Sequence, residues 1–241
     1  MASLENKKIL LAANNSAINK AILEGLLLAG ANVIVLGDLS VDMSNDAFTS
    51  VACVLSDLDN LEATLKPQLS LHKPFDGFVF AAGKGGVRPL SLTKPDFLHD
   101  MMRTNLYIFI ELSRLLTKKD LLNEGSSIVA LSSVSSTKGL KSKIAYTASK
   151  AALDAAVRSM AAELAVKKIR VNSIQKGWVS SDMSLDFIEN NRALSSNDDF
   201  KKQLLGAIEP DEIAGAVQFL LSNTAKSITG TALVLDGGYT I

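Results

Sequence analysis

The sequence predicts an α/β fold: a three-layer, doubly wound parallel sheet of about seven strands with helices on both faces. Three observations predict it. Short β-rich runs alternate with helical stretches along the whole chain. Several runs, among them Phe78-Val79-Phe80 and Ile128-Val129-Ala130-Leu131, are continuously apolar rather than alternating, as a parallel strand covered on both faces must be. The glycines and prolines fall mostly between these elements, and no Pro/Ser-rich linker or shift in composition interrupts them. A single domain over 1–241 is therefore expected.

In chain order, the first strand is expected at 7–13, where Lys7 and Lys8 precede an apolar run. That run, Ile9 to Ala13, is too short for the apolar region of a signal peptide. The remaining strands are expected at 32–37, 50–55, 77–82, 126–132, 169–175 and 232–235. Helices are expected from apolar residues near helical spacing at Ala17 to Ala29, Leu58 to His72, Pro95 to Thr117, Ala145 to Lys167 and Pro210 to Ser222. Such a sheet binds ligands beyond the carboxyl ends of its strands, where the strand order reverses.

Composition narrows the partners. Lys plus Arg balance Asp plus Glu at 25 each, so no bulk field favours nucleic acid or an anionic membrane surface, and a small-molecule ligand is expected. The longest apolar stretch, Ala21 to Leu36, is broken by Glu24, Gly25, Gly30 and Asn32 and is shorter than a membrane-spanning helix. A cytoplasmic protein is expected. Cys53, the only cysteine, excludes an internal disulfide and suits an apolar core position. His72 and His99 have no metal-ligand spacing, so no metal site is expected.

The residues with chemical promise cluster in the second half. In Tyr146-Thr147-Ala148-Ser149-Lys150, a helix brings Tyr146 and Lys150 onto one face, where an ammonium favours a tyrosinate. Free tyrosine titrates near pH 10 and needs such help to act as a base at neutral pH. By itself Tyr-x-x-x-Lys also describes a surface tyrosine beside a solvated lysine. Upstream, strand 126–132 ends in Ser132 and Ser133, which places a hydroxyl at the carboxyl edge of the sheet. Asn105 sits inside an otherwise apolar helix, where an amide needs a partner or a purpose, capping being its structural alternative.

Taken together, these residues resemble the classical short-chain dehydrogenase/reductase family, and the resemblance runs from about Lys7 to the carboxyl terminus. Ser133 lies thirteen residues before Tyr146, Lys150 comes four later, and Asn105 falls in an Asn-Leu helix motif. Ile169-Arg170-Val171-Asn172-Ser173-Ile174 resembles the strand after the family's catalytic helix. Lys176-Gly177-Trp178-Val179-Ser180-Ser181 resembles its Pro-Gly turn, with lysine in place of proline. Asp236-Gly237-Gly238-Tyr239 resembles its final turn.

The resemblance implies a Rossmann fold and an NAD(P)-dependent oxidoreductase that transfers a hydride between nicotinamide and a carbonyl or alcohol. Tyr146 would protonate the nascent alkoxide, Ser133 hold the carbonyl oxygen, and Lys150 bind the nicotinamide ribose while lowering the tyrosine pKa. Asn105 would complete a water-mediated proton relay. Cofactor contacts would come from Ala13, Asn15, Ser16, Ile18, Asp38, Ala82, Gly83, Tyr146, Lys150, Gly177 and Val179, with Ser181 on the nicotinamide carboxamide.

The cofactor end departs from the pattern. The family's Thr-Gly-x-x-x-Gly-x-Gly turn stands here as Ala12-Ala13-Asn14-Asn15-Ser16-Ala17-Ile18-Asn19, without any of its three glycines. Each added Cβ threatens the approach of backbone to pyrophosphate, although Asn19 tolerates a left-handed conformation and the helix starting near Ser16 or Ala17 still offers N–H groups. Val54 replaces an Asp that touches adenine, and Phe80-Ala81-Ala82-Gly83 keeps only Ala82 and Gly83 of an Asn-Asn-Ala-Gly turn. Gly37 aligns with the acid that accepts ribose hydroxyls, leaving Asp38 one place later. No Arg or Lys lies in Asn14 to Ser16 or Asp38 to Ser44 to receive a 2′-phosphate, which favours NAD over NADP.

These losses motivate a second reading, a binding or scaffolding protein of the same descent with weakened nucleotide binding. In the enzyme reading, the polar segment 182–207 covers the substrate, with Met183, Leu185, Phe187, Ile188 and Leu194 as apolar lining and Trp178 beside it. Chain length and the closing Gly-Gly-Tyr resemble the branch that reduces 3-oxoacyl thioesters on acyl-carrier protein. A homotetramer is implied, with helices 95–117 and 145–167 pairing across a two-fold axis through the small residues Ala151, Ala152, Ala155 and Ala156.

Overall fold

The computed structural model describes residues 3–40, 48–118, 121–180 and 202–241. Seven parallel strands form one sheet in the order β3-β2-β1-β4-β5-β6-β7. They are β1 Lys8–Ala13, β2 Asn32–Gly37, β3 Phe48–Ala52, β4 Phe75–Phe80, β5 Leu122–Ser133, β6 Arg170–Lys176 and β7 Ala232–Leu235. All seven strands expected from the sequence are present, in an α/β doubly wound sheet. The order runs outward in opposite directions from β1 and β4, so the crevice between their carboxyl ends is where such a sheet opens to a ligand.

The helices are α1 Ala17–Leu28, α2 Leu58–His72, α3 Pro95–Met102, α4 Ile108–Lys118, α5 Ile144–Leu164 and α6 Pro210–Leu221. Each strand serves two cores because alternate side chains leave opposite faces. Leu10 and Ala12 of β1 pack with Leu65 of α2, Phe109 and Leu112 of α4 and Leu153 and Val157 of α5. Ile9, Leu11 and Ala13 pack on the other face with Ile22 and Leu26 of α1 and Ile213, Val217 and Leu220 of α6.

Several boundaries differ from expectation: β3 runs Phe48–Ala52 rather than 50–55, and β4 runs Phe75–Phe80 rather than 77–82. β5 begins at Leu122 rather than 126, pairing Phe75 with Leu122 across a register shift before the regular ladder from Gly77 and Ser127. The helix expected over Pro95–Thr117 is interrupted by a π-helical turn at Arg103–Tyr107, which contains Asn105. One extra residue in a turn rotates the remainder of the helix, and such turns are frequent at functional sites. No described helix is long and apolar enough to cross a membrane, and the described residues hold no group of His, Cys, Asp and Glu arranged for a metal. Cys53 is half-buried against the core on the α2 side.

Candidate active site

A cleft with two adjoining lobes of about 400 and 410 Å³ lies beyond the carboxyl ends of the strands. The first lobe is walled by the turn after β1, including Asn14, Asn15, Ser16 and Ile18, and by Ala82 and Gly83 after β4. The second is walled by Val134 and Ser135 after β5 and by Gly177, Trp178 and Val179 after β6. Tyr146 and Lys176 line both lobes, and Lys150 lines the first. Of the anticipated cofactor residues, Asn15, Ser16, Ile18, Ala82, Gly83, Tyr146 and Lys150 thus meet in one lobe, with Gly177 and Val179 in the other.

Two do not line the cleft. Ala13 is fully buried as the last residue of β1, its side chain packed in the core on the α1 side. Asp38 is exposed outside the cleft walls. The cause lies at Gly37, where φ is +124° and a Cβ would stand 2.1 Å from the Ala13 carbonyl oxygen. An acid cannot occupy that position in this backbone, and Asp38, the next residue, is not among the cleft walls. Ser181 and residues 182–201 of the expected covering segment lie outside the described residues.

The glycine-free turn holds a nucleotide-sized lobe by other means. Ser16 caps α1, its Oγ accepting from the Asn19 N–H at 3.2 Å. Asn19, expected to suit a left-handed backbone, instead lies within α1, and neither it nor Ala13 nor Ala17 has positive φ. Its side chain is buried and donates to the Asn14 carbonyl and Oδ1, both at 2.9 Å, and to the Ala81 carbonyl at 3.3 Å. It therefore staples the turn after β1 to the end of β4, where a third glycine would leave space. The first N–H groups of α1 remain without intrahelical partners and their positive end faces this lobe, which suits an anionic phosphate.

Burial pushes the Tyr146 hydroxyl pKa up, and the nearby Ser133 restrains the rise. Ser133 Oγ also bonds Ser135 Oγ and accepts the Ser135 N–H, each at 3.1 Å. Lys150 is buried and donates to the Leu131 carbonyl at 2.8 Å. Burial, reinforced by the nearby Lys176 and opposed by Asp154, brings its pKa down to about 7. Lys150 Nζ stands 6.0 Å from the Tyr146 ring centre. In this state burial raises the tyrosine pKa, the opposite of the lowering expected from the lysine.

Asn105 is fully buried and sits behind the cleft. Its Oδ1 accepts the Lys84 N–H at 2.9 Å, and its Nδ2 donates to the Lys84 carbonyl at 3.0 Å and to Ser149 Oγ at 2.9 Å. Gly83 packs against both key groups: a Cβ there would lie 3.0 Å from Asn105 Oδ1 and 3.5 Å from Lys150 Nζ. The amide thus fixes the turn after β4 against α5, a role that capping did not anticipate.

Sequence reasoning missed three supporting residues. Asp154 is buried one turn beyond Lys150 and accepts from Ser173 at 2.7 Å and Gln175 at 2.8 Å; its spacing of four from Lys150 was the available signal. Ser149 links Asn105 to α5. Gln203, buried, accepts the Trp178 N–H at 3.0 Å and donates to the Trp178 carbonyl at 3.1 Å; nothing local in the sequence marks it.

Comparison with known proteins agrees with this arrangement. A family model described as enoyl-(acyl carrier protein) reductase matches residues 12–240. The 3-oxoacyl-(acyl-carrier-protein) reductase FabG of Vibrio harveyi is 30% identical over 244 residues, covering 98% of each chain. L-xylulose reductase of Caenorhabditis elegans is 30% identical, covering 97% of this chain and 96% of that one. A short-chain dehydrogenase/reductase structure from Brucella melitensis superposes with a TM-score of 0.88 at 25% identity, covering 100% and 99% of the two chains. The chain belongs to the short-chain dehydrogenase/reductase family and is an NAD(P)-dependent oxidoreductase of carbonyl and alcohol groups. Nothing in these likenesses favours the non-catalytic alternative.

Proposed function

We propose that Tyr146 is the acid/base of this oxidoreductase, with Ser133 holding the substrate oxygen and Lys150 holding the nicotinamide ribose. The observation that carries the reading is the position of Tyr146 at the junction of the two lobes, with Ser133 near enough to act on its ionisation and Lys150 four residues on along α5. The residues present fit a dinucleotide: the first turn of α1 would face its phosphates, and Ala82 and Gly83 would lie along it. Bound there, the nicotinamide supplies or accepts the hydride.

In the reductive direction, Ser133 Oγ donates to the carbonyl oxygen and Tyr146 Oη delivers the proton as alkoxide charge develops. The Lys150 ammonium steadies the resulting tyrosinate, and burial of the tyrosine keeps its proton in place until then. Oxidation uses the same groups in reverse. Asn105, through Lys84 and Ser149, holds the walls on which a relay of water would depend.

NAD is the favoured cofactor, supported by the absence of Arg and Lys from Asn14 to Ser16. Lys20 also lines the first lobe and is the cation to watch in a comparison with NADP. A 3-oxoacyl thioester is the substrate suggested by the Vibrio harveyi relative. A cytoplasmic homotetramer is consistent with the partly exposed Tyr107 and Ile110 of the π turn and α4 and with the small residues at 151, 152, 155 and 156 of α5.

Calorimetric titration with NADH and NADPH, then a ketone panel that includes a 3-oxoacyl thioester, tests the reading. Micromolar binding of one nucleotide with turnover is expected. A folded sample that binds neither would reject it. Light scattering should return four times the chain mass, and a monomer mass would reject the tetramer.

A further inference from the structure

Among the described residues, cations gather in the second lobe of the cleft and carboxylates do not. Lys84, Lys143 and Lys176 are among its walls, and no described Asp or Glu lines it. Two of these lysines are engaged. Lys84 is paired with Asp100, and Lys143, at the start of α5, lies 4.8 Å over the Trp178 ring.

Lys176 differs. It is the last residue of β6, half-buried, and it borders both lobes beside Tyr146. Among the described residues its ammonium has no ion pair or side-chain hydrogen bond. Burial and then the charge of Lys143 bring its pKa down to about 8, and Lys176 in turn depresses Lys150. Of the described carboxylates near these lysines, Asp100 is taken by Lys84 and Asp154 is engaged by Ser173 and Gln175. The resemblance has proline at this position, so the charge is not required by the turn. Keeping an unpaired cation out of water is unfavourable unless something else satisfies it.

We infer that Lys176 is a specificity residue that binds a carboxylate on the substrate, and that the enzyme acts on oxo acids or the corresponding hydroxy acids. The anion falls between Lys176 and Lys143, with the reacting carbonyl toward Tyr146 and Ser133. This deepens the oxidoreductase reading, rests on it for the carbonyl chemistry, and puts a free oxo acid in place of the thioester as the substrate class; the anion site itself rests on the lysines. A carboxylate on this ammonium gains a charge-assisted hydrogen bond in a partly dry site, about a 10- to 100-fold preference over a neutral ester.

Trp178 is the only tryptophan of the chain and lines the same lobe, so its fluorescence reports occupancy without turnover. The probes are pyruvate, acetoacetate and 3-oxooctanoate, each titrated beside its methyl ester. A saturable response to at least one acid, at least about tenfold tighter than to its ester, is expected. Lys176→Met should erase that ratio and Lys176→Arg should keep part of it; Lys176→Gln serves if the methionine variant loses its cooperative melt. Equal affinity for acid and ester, no saturable response to any acid, or an acid preference intact without Lys176 would overturn the inference. Turnover of the same compounds with NADH or NADPH separates the two readings. Acid binding without turnover of any ketone would fail the oxidoreductase reading and leave the anion site standing, whereas turnover of neutral ketones without acid preference would do the reverse.

Discussion

Asn105 Nδ2 donates to Ser149 Oγ at 2.9 Å, tying a π-helical turn to the helix residue that immediately precedes Lys150. The same amide exchanges two hydrogen bonds with the Lys84 backbone. Asn105→Ala removes three hydrogen bonds made by a fully buried amide, two to the part-buried Lys84 backbone and one to Ser149, at a cost of about 1–3 kcal/mol in all. Denaturant unfolding should show the loss. Turnover should fall more than nucleotide affinity, because the wall beside Lys150 moves while the α1 turn does not; an unchanged kcat in a folded variant would refute the link.

Tyr146→Phe removes the phenol and keeps the ring. Nucleotide affinity should change little, and kcat should fall by about 10²- to 10⁴-fold, the range for loss of a positioned proton donor. Steady-state kinetics beside a nucleotide titration decides the matter. Near-normal turnover would reject the assignment.

Burial makes two lysines sensitive to pH. Lys150 and Lys176 titrate at about 7 and about 8 in the folded chain, against about 10.4 when unfolded. Between those limits the unfolded chain holds more protons than the native one, so stability rises as pH increases. Below pH 7 both states carry the protons and this dependence disappears. Tyr146, held above its ordinary value, acts in the opposite sense only at pH above about 10. Urea unfolding at pH 7, 8 and 9 should show the rise, and Lys176→Met should reduce its slope. A variant with the same slope as the parent would contradict the placement of Lys176.

Asn19→Ala removes the staple between the turn after β1 and the end of β4. Its three donated bonds end on Asn14 and Ala81. Stability should drop by about 1–3 kcal/mol, and NADH binding should weaken because Asn14 and Asn15 are no longer held against the lobe. Thermal melting and calorimetry measure the two effects. Tighter NADH binding in the variant would mean that the amide blocks the nucleotide rather than shaping its site.

Much of this molecule was legible before its structure, for identifiable reasons. Parallel strands buried on both faces need continuous apolar runs, and Ile9 to Ala13 or Ile128 to Leu131 cannot be mistaken for surface. Tyr146 and Lys150 share a helix face by spacing alone. The features that escaped notice depend on contacts distant in sequence. A π turn at Arg103–Tyr107 leaves apolar spacing almost undisturbed, so the helix looked continuous. The steric bar at Gly37 comes from the Ala13 carbonyl on the neighbouring strand. Gln203 meets Trp178 across a segment whose composition gives no hint of the meeting. Lys176 was visible only as a substitution in a turn, because its burial is a property of the assembled cleft.

The clamp around Trp178 has a consequence for how this protein can change over generations. Val179 bridges to Ile208, Ser180 N–H donates to the Ile208 carbonyl at 2.7 Å, and Gln203 grips Trp178. Trp178, Val179 and Ser180 are thus fastened to Gln203 and Ile208 whatever sequence joins them, and each doubling in the length of such a join adds only about 0.6 kcal/mol of closure entropy. Over generations the sequence joining the posts can lengthen or shorten while the sheet is inherited unchanged.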